Sequence, residues 1–180
     1  MLLAVIVACE IGFWVFLLAG LAARYLLRWP RASVALLSCA PLVDLVLLVV
    51  ATLDLRDGGR ATVAHSLAAV YIGVSVGFGH RMITWADQRF AHRFAAGPTP
   101  APRPRYGAAH AARERSTWYR HLMAWAVGCA LLASAVVIIG DSSRTVALWQ
   151  VAVLWTVVLA IDFAISFSFT LFPRRPRAQT

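Results

Sequence analysis

The segment YIGVSVGFGHRMITWADQRFAHRF, residues 71–94, decides how the whole chain is read. It begins as glycine-spaced apolar sequence and turns within a few residues to arginine, histidine and aromatic side chains. Either Gly79-His80-Arg81 is a chemical motif or it is the point where a helix leaves a membrane. The glycine spacing favours the second. Ala69, Gly73 and Gly77 recur every fourth residue, a small-residue face that lets two helix backbones approach closely. Packing inside a bundle uses such a face, and so does homodimerisation. The GFGH tetrad lacks the spacing of a phosphate-binding loop, GxxxxGK[ST] or GxGxxG. His80 and Arg81 then mark a helix exit, where cations suit both the C-terminal end of the dipole and lipid headgroups.

Working outward, the 180-residue chain is 61% hydrophobic and 14% charged, where a soluble domain is nearer half apolar and about a quarter charged. The excess falls into five blocks, 2–25, 32–54, 61–83, 121–140 and 147–171. Each reaches the roughly 20 residues that a helix needs to cross a bilayer. Backbone groups in lipid must be satisfied within the segment, and the blocks are too long for barrel strands. The expected fold is therefore all-α, a polytopic transmembrane helical bundle of five spans forming one transmembrane domain over 1–180.

The net charge of +9 is carried by 17 arginines and no lysine, a bias of GC-rich coding that carries no message about nucleic acid. The distribution of the arginines carries the topology. Arg24, Arg28 and Arg31 follow the first block. Eight more, from Arg81 to Arg120, lie between the third and fourth, and Arg174, Arg175 and Arg177 lie in the tail. In a five-span chain these regions share one side. The other side holds Arg56, Arg60 and Arg144, balanced by Asp54, Asp57 and Asp141. Because positive residues favour the cytoplasmic face, the N-terminus is expected outside and the C-terminus inside. The first block lacks a positive n-region and is too long for a signal peptide, so an uncleaved anchor is expected.

The connections fit short hairpins. DLRDGGR (54–60) and GDSSR (140–144) are polar turns, and in RWPRAS (28–33) Pro30 breaks the helix and Ser33 is positioned to cap the next one. The 84–120 connection divides into three parts. Residues 84–94 continue as an amphipathic cytoplasmic helix, with Ile83, Ala86, Phe90 and Phe94 on one side. A proline-rich linker covers 97–107, and a short helix leads into the fourth span. Arg81, Trp85, Arg89, Arg93, Trp118 and Arg120 are expected at the headgroups of anionic lipid, and 173–180 forms a basic cytoplasmic tail. The partners expected are the bilayer and its anionic headgroups, with a homo-oligomer or a membrane-protein partner, and no nucleic acid.

Ionisable side chains within spans are costly and mark functional sites by default. Four form the candidate intramembrane polar site. Glu10 lies about 4–5 Å to the outer side of the midplane, Asp44 close to it, His65 about 10 Å outward and Asp162 about 4–5 Å inward. Pro41 leaves the carbonyl of Leu37 without its usual donor one turn before Asp44. In one reading the acids are neutral or hydrogen-bonded and fix helix packing. In the other they line a path for protons or a cation. His80 and His121, at the inner ends of the third and fourth blocks, offer a remote alternative as axial ligands of a b-type haem. No histidines fall at metal-ligand spacing, so neither metal nor other cofactor is expected. Cys9, Cys39 and Cys129 all lie in spans and form no disulfide framework. HExxH and Ser-x-x-Lys patterns are absent, and no enzyme and no catalytic residue is expected. The leading reading is a non-enzymatic membrane scaffold or accessory subunit. The alternative is a small transporter or proton-coupled permease using Glu10, Asp44, His65 and Asp162.

PLVDLVLL (41–48), DLRDGG (54–59), residues 64–98 and the Arg144-Thr145 pair after Asp141 resemble a family of small uncharacterised multi-pass integral membrane proteins of GC-rich Gram-positive bacteria. The resemblance covers nearly the whole chain. It implies a multi-pass membrane location and no catalytic residues.

Overall fold

The computed structural model describes residues 2–56, 58, 63–94, 104 and 106–172, with the side chains of 2–6, 63–65 and 94 outside that description. The side chains of His65 and Phe94, most of the 97–107 linker and the 173–180 tail, all singled out above, therefore lie outside the described residues. The fold is all-α. Five helices follow one another: α1 (Leu2–Tyr25), α2 (Pro30–Arg56), α3 (Val63–Phe94), α4 (Gly107–Ile139) and α5 (Val146–Leu171). All five are long and apolar enough to cross a membrane.

Both parts of the 84–120 connection that read as helix in the sequence run on from a span. The third span and the amphipathic segment are one unbroken helix, and so are the short helix before span four and that span. Nothing between Gly79 and Phe94 breaks a helix, and the Thr84 hydroxyl donates to the His80 carbonyl across the expected junction, at 2.9 Å. The fall in hydropathy after residue 83 marks where apolar sequence ends, not where hydrogen bonding ends. Ser33 departs from the sequence expectation. Its N–H donates to the Trp29 carbonyl, so α2 starts with Pro30 in the first helical position, where its missing N–H costs nothing. Ser33 sits one turn inside, with a buried hydroxyl that has no hydrogen-bond partner among the described residues.

The described chain divides into two compact units. The first comprises residues 1–73 and 127–152. Here α1 and α2 pack as an antiparallel hairpin, close enough at Gly20 that a Cβ there would stand 2.8 Å from side-chain carbons of Leu37. A buried cluster joins Leu48 and Leu55 of α2, Ala69 and Ile72 of α3, Leu132, Ala135 and Ile139 of α4, and Leu148 of α5. Hydroxyls in these apolar helices are satisfied locally: Ser38, Thr52 and Ser134 each donate to the carbonyl four residues back. Gly140 (φ 66°) ends α4. Beyond it, the Asp141 carboxylate accepts from the Ser143 N–H and hydroxyl and pairs with Arg144 at 3.2 Å. The hydrogen bonds from Ser143, helped by the Arg144 charge, hold the Asp141 carboxyl below its ordinary range. Arg144 also reaches the carbonyls of Leu55 and Arg56, both at 3.4 Å, so one guanidinium caps the C-terminal end of α2.

The second unit comprises residues 74–126 and 153–180. It is stitched by side-chain hydrogen bonds: Arg81 to Thr117 at 3.2 Å, Arg115 to Thr170 at 2.7 Å and Trp125 to Thr156 at 3.0 Å.

The exit from α1 carries backbone strain. Arg28 has φ 57°, and Trp29 N–H reaches back to the Ala23 carbonyl at 2.8 Å. The left-handed region costs an L-residue about 1–2 kcal/mol, a penalty glycine escapes at some entropic cost. Arg28→Gly is therefore expected to stabilise the protein by about 0.5–1 kcal/mol, read as a higher thermal midpoint in detergent. Arg28→Ala, which removes the same charge and keeps the strain, should give no gain. Equal midpoints for the two variants would refute the strain.

Candidate functional site

Within the first unit, one face each of α1, α2 and α3 forms a cleft of about 440 Å³. Cys9, Glu10, Phe13 and Trp14 come from α1, Asp44 and Leu47 from α2, and Leu67, Ala68 and Tyr71 from α3. Each set repeats at one helical turn, which is why three short stretches converge. Phe13 and Tyr71 meet edge to face, with ring centroids 5.5 Å apart. Two of the four expected polar-site residues, Glu10 and Asp44, thus share a cleft. Glu10 is exposed and Asp44 half-buried. Neither has a hydrogen-bond or ion-pair partner among the described residues. Glu10 lies about 5 Å along the axis from the middle of α1, and Asp44 is within about 2 Å of the middle of α2. The third expected residue, His65, is on α3, with its side chain outside the described residues.

Asp162, the fourth, belongs to the second unit and has its own partners. Its Oδ2 lies 2.9 Å from Nδ1 of His121, and Ser166 donates to its Oδ1 at 3.5 Å. The Trp155 indole N–H donates to Nε2 of the same imidazole at 3.0 Å. The sequence reading set His121 beside His80 and missed this group. A signal existed. Trp155, Leu159, Asp162 and Ser166 recur at helical spacing, and so do Trp118, His121 and Trp125. The short 140–145 turn makes α4 and α5 antiparallel, so equal counts from it bring 121 opposite about 164, within one turn of Asp162. With both ring nitrogens of His121 engaged and His80 exposed, the haem arrangement has no free axial nitrogen at His121. Among the described residues no three histidine, cysteine or acidic side chains cluster as metal ligands would.

The small-residue face is occupied internally. Ala69 is fully buried, Gly73 is buried, and a Cβ on Gly77 would stand 2.6 Å from the Arg120 carbonyl oxygen. The six expected headgroup residues divide. Trp85, Arg89 and Arg93 are exposed, with the Arg89 guanidinium 5.9 Å from the Trp85 ring centre. Arg81, Trp118 and Arg120 are half-buried. Trp118 departs from the expectation because its indole N–H donates to the Leu159 carbonyl at 3.3 Å and its ring packs on Phe163 and Phe167. It is a wedge between α4 and α5. Arg81 is held by Thr117, and the Nε of Arg120 is buried without a hydrogen-bond partner among the described residues.

No protein-family model matches the chain, and no solved structure matches it. The chain is similar to a protein of Bacillus subtilis (strain 168), Uncharacterized membrane protein YmcC. The two are 42% identical over 173 residues, which is 96% of this chain and 93% of the relative.

Proposed function

The chain belongs to the family of the membrane protein YmcC, and we propose that it acts there as a non-enzymatic accessory subunit or scaffold of the cell membrane. The observation that carries this reading is the exposed Glu10 beside Asp44 in an open cleft at the depth of the spans. Carboxyls at that depth are costly against hydrocarbon, and in membrane proteins they face protein or a water-filled cavity. A partner's membrane helix laid in the cleft, with a basic or hydrogen-bonding side chain at the level of the acids, covers them. The topology that goes with this is N-out and C-in. The arginine-rich end of α3 then meets anionic headgroups through Trp85, Arg89 and Arg93. A dimer through Ala69, Gly73 and Gly77 is disfavoured, because these residues are already buried.

A proton-coupled permease is the second reading, favoured by the fact that two of the acids it needs share the cleft. One pair of measurements separates the two. A photocrosslinking residue replacing Leu67 at the rim is expected to trap a polypeptide in native membranes, and Glu10→Gln with Asp44→Asn should reduce that adduct at least tenfold. The permease reading instead requires the double variant to abolish proton flux in liposomes containing the purified chain alone. Crosslinks to lipid only, with no flux in the parent protein, would remove both readings.

A further inference from the structure

The cleft between α1, α2 and α3 brings together two kinds of group that attract the same charge. One is the pair of carboxyls, Glu10 and Asp44; the other is three aromatic rings, Phe13 and Trp14 of α1 and Tyr71 of α3. Trp14 stands at 87° to Phe13 with centroids 5.7 Å apart, and Tyr71 at 75° with centroids 5.5 Å apart. Two rings near perpendicular to a third form a corner. The face of an aromatic ring is the negative part of its quadrupole and draws a cation, as a carboxylate does. Among the described residues neither carboxyl has an ion-pair partner. Apolar side chains, Leu67 among them, complete the lining.

Size and access narrow the cation. A cleft of about 440 Å³ far exceeds the roughly 30 Å³ share of one water molecule and falls within the roughly 300–1,000 Å³ of small-molecule sites. The donor set does not suit a bare divalent ion: calcium takes about 6–8 oxygen ligands and magnesium a near-ideal octahedron. Two carboxyls fall short of either, and no three metal-ligating side chains cluster among the described residues. Glu10, Trp14 and Leu67 are exposed at the depth of the spans, so a ligand arrives through lipid and must carry apolar surface. A quaternary ammonium or similar alkylated ion meets each requirement. Its charge is spread and weakly hydrated, and aromatic rings recognise it.

We propose that this cleft is a binding site for a hydrophobic organic monocation taken up from the bilayer. Glu10 and Asp44 supply the counter-charge, the corner of Phe13, Trp14 and Tyr71 holds the alkylated head, and Leu67 meets the apolar body at the rim. The inference goes beyond the accessory-subunit reading, because the ligand is a free small molecule and the chain alone suffices to bind it. Nor does it require transport: binding without flux satisfies it.

The test uses the full purified chain in nanodiscs of zwitterionic lipid, with radiolabelled tetraphenylphosphonium as the probe and empty nanodiscs as background. Saturable binding is expected. Phenyltrimethylammonium should displace the probe, and tert-butylbenzene, which has the same shape without the charge, should not. Glu10→Gln with Asp44→Asn keeps side-chain size and should weaken binding at least tenfold. Trp14→Ala, at an exposed position, should weaken it about two- to fivefold. Trp149→Ala, an exposed tryptophan of α5 outside the cleft, should leave it unchanged. If the double variant fails to fold, Glu10→Gln alone and Trp14→Ala carry the comparison. Absence of saturable binding overturns the proposal. So does equal displacement by tert-butylbenzene, or binding that ignores substitution at both acids. The crosslink from position 67 reports the partner reading separately. A polypeptide adduct in native membranes with no probe binding removes the cation site and leaves the partner, and probe binding with no polypeptide adduct does the reverse.

Discussion

Gly77→Leu is expected to destabilise the protein by about 3 kcal/mol, the upper end of ordinary overpacking. The first atom of the new side chain would stand 2.6 Å from the Arg120 carbonyl oxygen and 2.9 Å from Ala124 Cβ. The Arg120 oxygen is backbone within α4 and cannot rotate aside as a flexible side chain would, so the two helices must part. In a membrane that separation gains nothing from the solvent, since lipid tails are as apolar as leucine and association rests on close packing. Gly79→Leu, two residues along, is the control. Nothing lies within 4 Å of a Cβ there, and leucine improves helix propensity by nearly 1 kcal/mol. The measurement is the thermal midpoint of each variant in one detergent. A large drop for Gly77→Leu with no drop for Gly79→Leu is the expected pattern, and equal effects would contradict the close approach. Ala at 77 places the same Cβ, so Gly77→Ala should already show part of the loss.

These neighbouring glycines show what sequence can and cannot deliver. The periodicity of Ala69, Gly73 and Gly77 was legible because small residues four apart share one face of any helix. Which neighbour that face meets was not legible, because spacing within one helix holds no information about another. The same limit applies to the acids. Chain position gave the depths of Glu10, Asp44 and Asp162 in their helices. That Glu10 and Asp44 line one cleft, while Asp162 turns to His121, depends on helix rotation. Tertiary packing sets rotation, and apolar sequence that is nearly uniform around the helix, as in α1 and α5, leaves few clues to it. The five spans were legible because apolar length is a direct requirement of bilayer thickness. The apolar blocks and the helices they belong to differ in extent for a related reason: hydropathy reports the solvent around a segment, whereas a helix ends where its backbone hydrogen bonds end. Residues 84–94 and 107–120 change solvent preference without a breaker at either junction.

Trp118→Ala is the second large effect expected, a loss of about 3 kcal/mol. Sequence alone makes Trp118 and Trp85 equivalent, each an aromatic residue among arginines where an apolar run meets polar sequence. The structure separates them. The Trp118 ring makes edge contacts with Tyr119, Phe163 and Phe167 at centroid distances of 5.3, 5.2 and 5.4 Å, each worth about 0.5–1.5 kcal/mol. Its N–H adds a hydrogen bond of about 1 kcal/mol to the Leu159 carbonyl. Trp118→Phe keeps most of the ring contacts and loses the hydrogen bond, so it should cost about 1 kcal/mol. Trp85 is exposed and meets one arginine, an interaction of about 0.5–1 kcal/mol at such a site. Trp85→Ala should therefore barely move the thermal midpoint, yet it should weaken binding to vesicles containing anionic lipid. Trp118→Ala should show the opposite pattern wherever the variant remains folded. If both substitutions lower lipid binding and neither lowers the midpoint, Trp118 is an interfacial anchor after all and the wedge between α4 and α5 is wrong.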